Sequence, residues 1–127
     1  METKNECLCS SAPALIFPCS GAADVGEIAD RVGRKLTADG AGKMYCLAGV
    51  GGHISGILES TQAAERILAI DGCPMDCARK TLEHAGFDQV MHVRITDLGI
   101  EKGKSPATGE RIEMVASECT DKLCNQI

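Results

Sequence analysis

Short apolar runs alternate along this chain with segments in which apolar residues recur at helical spacing. A short apolar run followed by a segment with helical spacing is typical of a strand and of the helix that connects it to the next parallel strand. The alternation predicts a small α/β domain, a Rossmann-like or flavodoxin-like three-layer fold with a mainly parallel four-stranded sheet. The predicted strands cover 14–19, 43–47, 66–70 and 89–95, and the predicted helices cover 24–38, 74–85 and 109–124.

Individual residues predict where several of these elements begin and end. The glycine-rich stretch Gly49–Gly52 predicts a tight turn, and a short helix is expected near 55–60. Because proline favours the first position of a helix, the second long helix is predicted to begin at Pro74. In the last strand His92 and Arg94 alternate with apolar residues, which predicts that they lie on a solvent-exposed face.

Charge and aromatic content exclude several classes of protein. The formal net charge is −5, and the aromatic residues are Phe17, Tyr45 and Phe87. A basic surface that binds phosphates and stacks bases is therefore not expected. The apolar run Ala14–Phe17 is too short for a signal-peptide core or a membrane span. We expect a cytoplasmic protein with neither a nucleic-acid nor a membrane partner.

The length of 127 residues favours a single domain with its own hydrophobic core. Residues 1–13 are predicted to form a flexible tail, 14–103 the core of the domain, and 107–127 a C-terminal helix. No repeat or linker divides the chain.

Eight cysteines are the most informative part of the composition. Thiols stay reduced in the cytoplasm, so structural disulfides are a poor explanation for them. Metal binding or thiol chemistry is the better interpretation of many cysteines in a reducing compartment.

Four of the cysteines are predicted to converge. Cys19 ends the first strand, Cys46 lies near the end of the second, and Cys73 follows the third. Cys77 comes one turn later, on the same face of the predicted helix as Cys73. In an open parallel sheet, ligands bind outside the carboxyl ends of the strands. Four thiols at that edge match the tetrahedral preference of zinc.

Several of the eight cysteines and one histidine have further interpretations. Cys46 lies inside a predicted strand and is open to the alternative that it is a buried core thiol. Cys119 fits the apolar face of the last helix, where packing explains it. Cys7 and Cys9 form a pair that could supply accessory thiols to the site, and His53 follows the glycine turn as a further possible ligand.

Three segments, Cys19–Gly26, Tyr45–Gly52 and Asp71–Lys80, carry a resemblance to a known family. With them the chain resembles the DGC-domain family, named for the triplet that is Asp71-Gly72-Cys73 here. The likeness runs from about Ala14 to Gly103. Members are described as zinc-binding through four cysteines, and the resemblance implies that these are Cys19, Cys46, Cys73 and Cys77. The family implies no particular activity.

Two functions remain open at this point. The first is a metal-thiolate protein, with zinc as its metal, that senses or handles metals or metalloids or supports a redox partner. The second is a thiol enzyme or a sulfur or selenium carrier in which Cys73 or Cys19 is the nucleophile. An iron–sulfur cluster also uses four thiolates, but the usual tight cysteine spacings are missing. The partner is expected to be a protein or a small molecule.

Overall fold

The computed structural model describes residues 13–125. It contains four strands, β1 (Ala14–Pro18), β2 (Gly42–Met44), β3 (Ile67–Asp71) and β4 (Met91–Arg94). They form one parallel sheet in the order β2-β1-β3-β4. The predicted α/β class and parallel four-stranded sheet are confirmed, and the order is that of the flavodoxin-like arrangement.

Within the described residues, five α-helices connect and cover the strands: α1 (Asp24–Ala38), α2 (Leu47–Gly51), α3 (Ser55–Ala63), α4 (Cys77–His84) and α5 (Gly109–Asn125). A short 3₁₀ helix, Ile95–Leu98, follows β4. No helix within residues 13–125 has the length and apolar character that a membrane crossing needs.

Two of the predicted elements differ from those observed. The stretch predicted as a plain turn, 49–52, belongs largely to α2, because Cys46 caps that helix and buried Gly49 packs against Ile57. The helix predicted to begin at Pro74 begins at Cys77 instead. Both corrections concern the loops that carry cysteines.

The sheet is buried on both faces, as its apolar strands require. On one face Ile16, Leu68 and Ile70 pack against α1 and α5. On the other face Phe17 and Ala69 pack against residues from α2 and α4. Successive strand residues point to opposite faces, so every residue of β3 is buried. The rigid three-layer core fixes the positions of the loops at the carboxyl ends of the strands.

Cys119, a residue of α5, lies fully buried in the hydrophobic core, in agreement with the predicted packing role. Burial raises the pKa of its thiol to about 12, against an ordinary value of 9.0. At pH values between about 9 and about 12, the Cys119 thiol has lost its proton in the unfolded chain but keeps it in the folded chain. Protein stability should therefore fall as pH rises above about 9, by up to about 1.4 kcal/mol per pH unit from this group.

Urea unfolding at pH 7.5, 9 and 10 checks this expectation. The wild-type chain should lose more stability across the series than the Cys119→Ala variant, whose overall stability is lower at pH 7.5 because a cavity is left in the core. Equal pH slopes for the two proteins would contradict the assignment.

Candidate metal-thiolate site

The carboxyl edge of the sheet contains a topological switch point between β1 and β3. After β1 the chain moves to β2 on one side, and after β3 it moves to β4 on the other. Cys19 directly follows β1, and its N–H donates to the carbonyl of Ile70 at 2.9 Å. Cys73 lies two residues beyond β3. Ligand sites of open α/β sheets form at such a crevice.

Cys46 reaches the same edge from β2. That strand ends at Met44, and Cys46 is the N-cap residue of α2, with its sulfur accepting a hydrogen bond from the N–H of Gly49 at 3.3 Å. The side chain is exposed, so the alternative of a buried core thiol is wrong. Cys46 and Cys19 both line a cavity of about 480 Å³.

Cys73 and Cys77 lie on either side of a turn, rather than on one helix face as predicted. Cys73 is half-buried, and Cys77 is the exposed first residue of α4. Between them Asp76 adopts a left-handed backbone conformation with φ of 54°. Such a residue cannot belong to an α-helix, which is why α4 cannot extend back to Pro74.

Asp71, at the end of β3, fixes the start of α4. Its carboxylate is buried and accepts the N–H groups of Ala78 at 2.7 Å and Arg79 at 3.1 Å. These are among the first N–H groups of the helix, which have no partner within it. His92 Nε2 lies 2.9 Å from the same carboxylate. Asp71 therefore caps a helix that begins six residues further along the chain.

Arg94 holds the other end of the turn. Its Nε donates to Oδ1 of Asp76 at 2.9 Å and its Nη2 donates to Oδ2 at 2.6 Å, a two-pronged geometry that strengthens the pair. These bonds hold the pKa of Asp76 below its ordinary value. The prediction that His92 and Arg94 face solvent is wrong, since both support the cysteine loop and are only partly exposed.

The Cys19 thiol has a distinctive electrostatic environment. Burial raises its pKa, the N–H groups of Gly21 and Gly72 donate to the sulfur and lower it, and nearby Asp71 and Cys77 raise it again. The net rise keeps a free Cys19 thiol protonated near neutral pH, which weighs against a role as nucleophile. A metal ion reverses this balance, because it binds the thiolate and displaces the proton.

The spacing of possible ligand atoms also bears on metal binding. Among residues 13–125, three such atoms of His, Cys, Asp and Glu side chains come within 4.8 Å of one another at Asp71, Asp76 and His92. That group is satisfied by protein donors, including Arg94, and we interpret it as support for the loop. No three of the described cysteine sulfurs lie this close to one another.

Four reduced thiols nevertheless match zinc in their chemistry, and two of the sulfurs already accept backbone N–H groups. A tetrahedral zinc–thiolate site needs sulfurs about 3.8 Å apart, given zinc–sulfur bonds of about 2.3 Å. Zinc binding therefore requires the four sulfurs to move closer together, and two of these thiols, Cys46 and Cys77, are exposed. Cys7 and Cys9 lie outside the described residues.

Comparison with known proteins gives the family. The model of the DGC domain matches residues 15–119. This chain belongs to the DGC-domain family. It is also 30% identical over 88 residues to the anaerobic and virulence modulator AnvM of Pseudomonas aeruginosa. The aligned region covers 69% of this chain and 67% of that protein. No solved structure matches the chain. Membership in the DGC family suggests a metal-binding or regulatory protein.

The structure gives each residue of the DGC triplet a distinct physical role. Asp71 caps α4, and Cys73 supplies a thiol at the switch point. Gly72 is buried, and a Cβ there would lie 2.8 Å from the backbone of Val25 in α1. Only glycine allows this approach, which also brings the Gly72 N–H to the sulfur of Cys19.

His53, named above as a possible ligand, is exposed at a φ of 56°. It lines a cavity of about 500 Å³ together with Met75, Cys77 and His84. His53 therefore lies near Cys77, the exposed thiol at the start of α4.

Proposed function

We propose that this DGC-domain protein is a regulatory metal-thiolate protein in which Cys19, Cys46, Cys73 and Cys77 bind one zinc ion. The observation that carries the proposal is the position of these free thiols after three neighbouring parallel strands, at the switch point where such sheets bind ligands. The role is to sense or handle metals or metalloids, or to support a redox partner, in the cytoplasm where thiols stay reduced.

The surrounding groups suit a thiolate site. N–H groups of Gly21 and Gly72 donate to Cys19, and the N–H of Gly49 donates to Cys46. Such donors disperse the negative charge of a thiolate ligand. A zinc ion held by four thiolates has no open position and would serve structure or regulation rather than hydrolysis.

A regulatory role has support from the relative as well. AnvM is named as an anaerobic and virulence modulator, and that name describes a regulatory role. Applied to this chain, the same kind of role fits thiols whose metal occupancy changes with the supply of metal. The partner would be a protein or a small molecule that distinguishes the metal-bound form.

A thiol enzyme or a sulfur or selenium carrier is the second candidate, with Cys73 as its nucleophile. Cys73 is half-buried at the switch point, and the ammonium group of Lys102 donates to its sulfur at 3.5 Å. Nucleophilic thiols are found in partly exposed, electropositive surroundings of this kind. Cys19 is the poorer nucleophile because burial raises its pKa.

Anaerobic purification, followed by metal analysis and thiol counting on one sample, distinguishes the two candidates. We expect one zinc ion per chain and protection of its four ligand cysteines, in addition to buried Cys119, from a bulky alkylating reagent. Chelation should raise the number of fast-reacting thiols by up to four, and added zinc should reverse the change. Metal-free protein with a fast-reacting Cys73 would instead support the thiol enzyme or carrier.

A further inference from the structure

The segment 100–105 crosses the cysteine edge of the sheet. Within it Lys102 places its ammonium group 3.5 Å from the sulfur of Cys73, which lies 29 residues earlier in the chain. Ile100, at the start of the segment, is buried in the core beside the 3₁₀ helix that follows β4. We refer to residues 100–105 as the clasp.

Asp24, in the first turn of α1, fastens the clasp. Its carboxylate accepts the N–H groups of Gly103 and Ser105, each at 2.9 Å, and that of Val25 at 2.7 Å. The hydrogen bonds from the clasp hold the pKa of Asp24 below its ordinary value, and the one from Gly103 has the largest effect. The clasp, which contains the residue that contacts Cys73, is therefore bound to the first turn of α1, the helix that follows Cys19.

The internal structure of the clasp makes the position of Lys102 specific. Ser105 is buried, and its hydroxyl donates to the carbonyl of Glu101 at 2.8 Å. Gly103 has a φ of 89°, which glycine adopts without strain. Fixed bonds on both sides of Lys102 thus direct its backbone over the cysteine edge, although the side chain itself is exposed.

Lys102 also differs from its basic neighbours in what it contacts. Arg79, Arg94 and Lys104 are each ion-paired with a carboxylate, whereas Lys102 donates to the Cys73 sulfur. A zinc ion bound by four thiolates carries net negative charge, and an ammonium group beside one thiolate compensates part of it.

We propose that Lys102 is the charge-compensating residue of the cysteine edge, held against Cys73 by the clasp and by Asp24. This proposal rests on the proposed function for its zinc-dependent consequence, which is tighter metal binding. A second consequence does not need zinc: the positive charge attracts anionic reactants to Cys73. The two consequences can be measured separately on the full-length chain.

Zinc affinity, measured by competition with a chromophoric chelator, tests the first consequence. Lys102→Met should weaken zinc binding about three- to tenfold, since the contact is polar but exposed. Lys104→Met is the matched control, because that side chain is 74% exposed and pairs only distantly with Glu101 at 3.8 Å. The control should bind zinc within about twofold of wild type.

Cobalt substitution adds a readout that a purely structural role would not change. A hydrogen bond from the ammonium group lowers the energy of the sulfur lone pairs. Loss of that donor in Lys102→Met should therefore shift the thiolate-to-cobalt absorption to longer wavelength, and Lys102→Arg should restore it. The Lys104→Met spectrum should match that of wild type.

Alkylation of Cys73 in the metal-free protein tests the second consequence, with mass spectrometry to follow that residue alone. The ratio of the iodoacetate rate to the iodoacetamide rate reports the local charge, because both reagents attack the same thiolate. The ratio should fall about three- to fivefold in Lys102→Met and change little in Lys104→Met.

The alkylation ratio decides the proposal. An equal ratio in wild type and Lys102→Met would overturn it, whatever the zinc result. A ratio that falls in a chain that binds no zinc would uphold the role of Lys102 and overturn the four-thiolate function instead. If the chain binds zinc, an unchanged zinc affinity and an unchanged cobalt spectrum in Lys102→Met would also overturn the proposal.

Discussion

Serine in place of Cys19, Cys46, Cys73 or Cys77 should lower zinc affinity by more than about 100-fold in each case. A neutral hydroxyl is a far poorer zinc ligand than a thiolate, and loss of even a group that supports a ligand costs about 10- to 100-fold. The affinities are measured by chelator competition on the full-length chain, and cobalt absorption counts the thiolates that remain bound in each variant.

Cys119→Ala is the control for this series, because Cys119 is buried in the core and away from the cysteine edge. Its zinc affinity should equal that of wild type, although its stability is lower. Urea unfolding of every variant in the metal-free state shows whether a loss of affinity reflects a loss of folding. Wild-type affinity in any of the four serine variants would remove that residue from the ligand set.

Alanine in place of Asp71 should cost about 3 kcal/mol of stability. The substitution leaves two N–H groups at the start of α4 without their acceptor, and hydrogen bonds to a charged group are worth about 1.5–3 kcal/mol each. It also removes the carboxylate that lies 2.9 Å from His92. The Asp71→Asn variant keeps one acceptor oxygen, so its stability should lie between that of the wild type and that of Asp71→Ala.

Urea unfolding at constant pH measures the effect, with Asp97→Ala as the control. The Asp97 side chain is 62% exposed, and its ion pair with Arg94 spans 3.2 Å at the surface. Such pairs contribute at most about 1 kcal/mol. Zinc affinity should fall in Asp71→Ala as well, because the turn between Cys73 and Cys77 loses its anchor. A cost no greater than that of Asp97→Ala would show that Asp71 does not organise this loop.

The sequence determined the layers of the fold and the edge on which the cysteines lie. The helical spacing of Val25, Ile28, Val32 and Leu36 predicts α1 with the bounds that the structure has. The short apolar runs predict β1 and β3, because both are buried on two faces. Once the strands are parallel, cysteines that follow them must share one edge, since all carboxyl ends point the same way.

The details of the cysteine loops depend on contacts between residues that are distant in the sequence. Pro74 favours a helix start locally, but Asp71 and the left-handed Asp76 place that start at Cys77. Alternation in β4 cannot distinguish a solvent-exposed face from one that a loop partly covers, so the pattern alone places His92 and Arg94 in solvent.

The position of Lys102 is the clearest example of a feature that local sequence patterns do not predict. Its contact with Cys73 joins residues 29 apart, and Asp24 fastens the clasp from 79 and 81 residues away. Periodicity and residue preference act over a turn of helix or a few residues of strand. Contacts of this length form only when the packed core brings distant loops together, so no local pattern in the sequence could predict them.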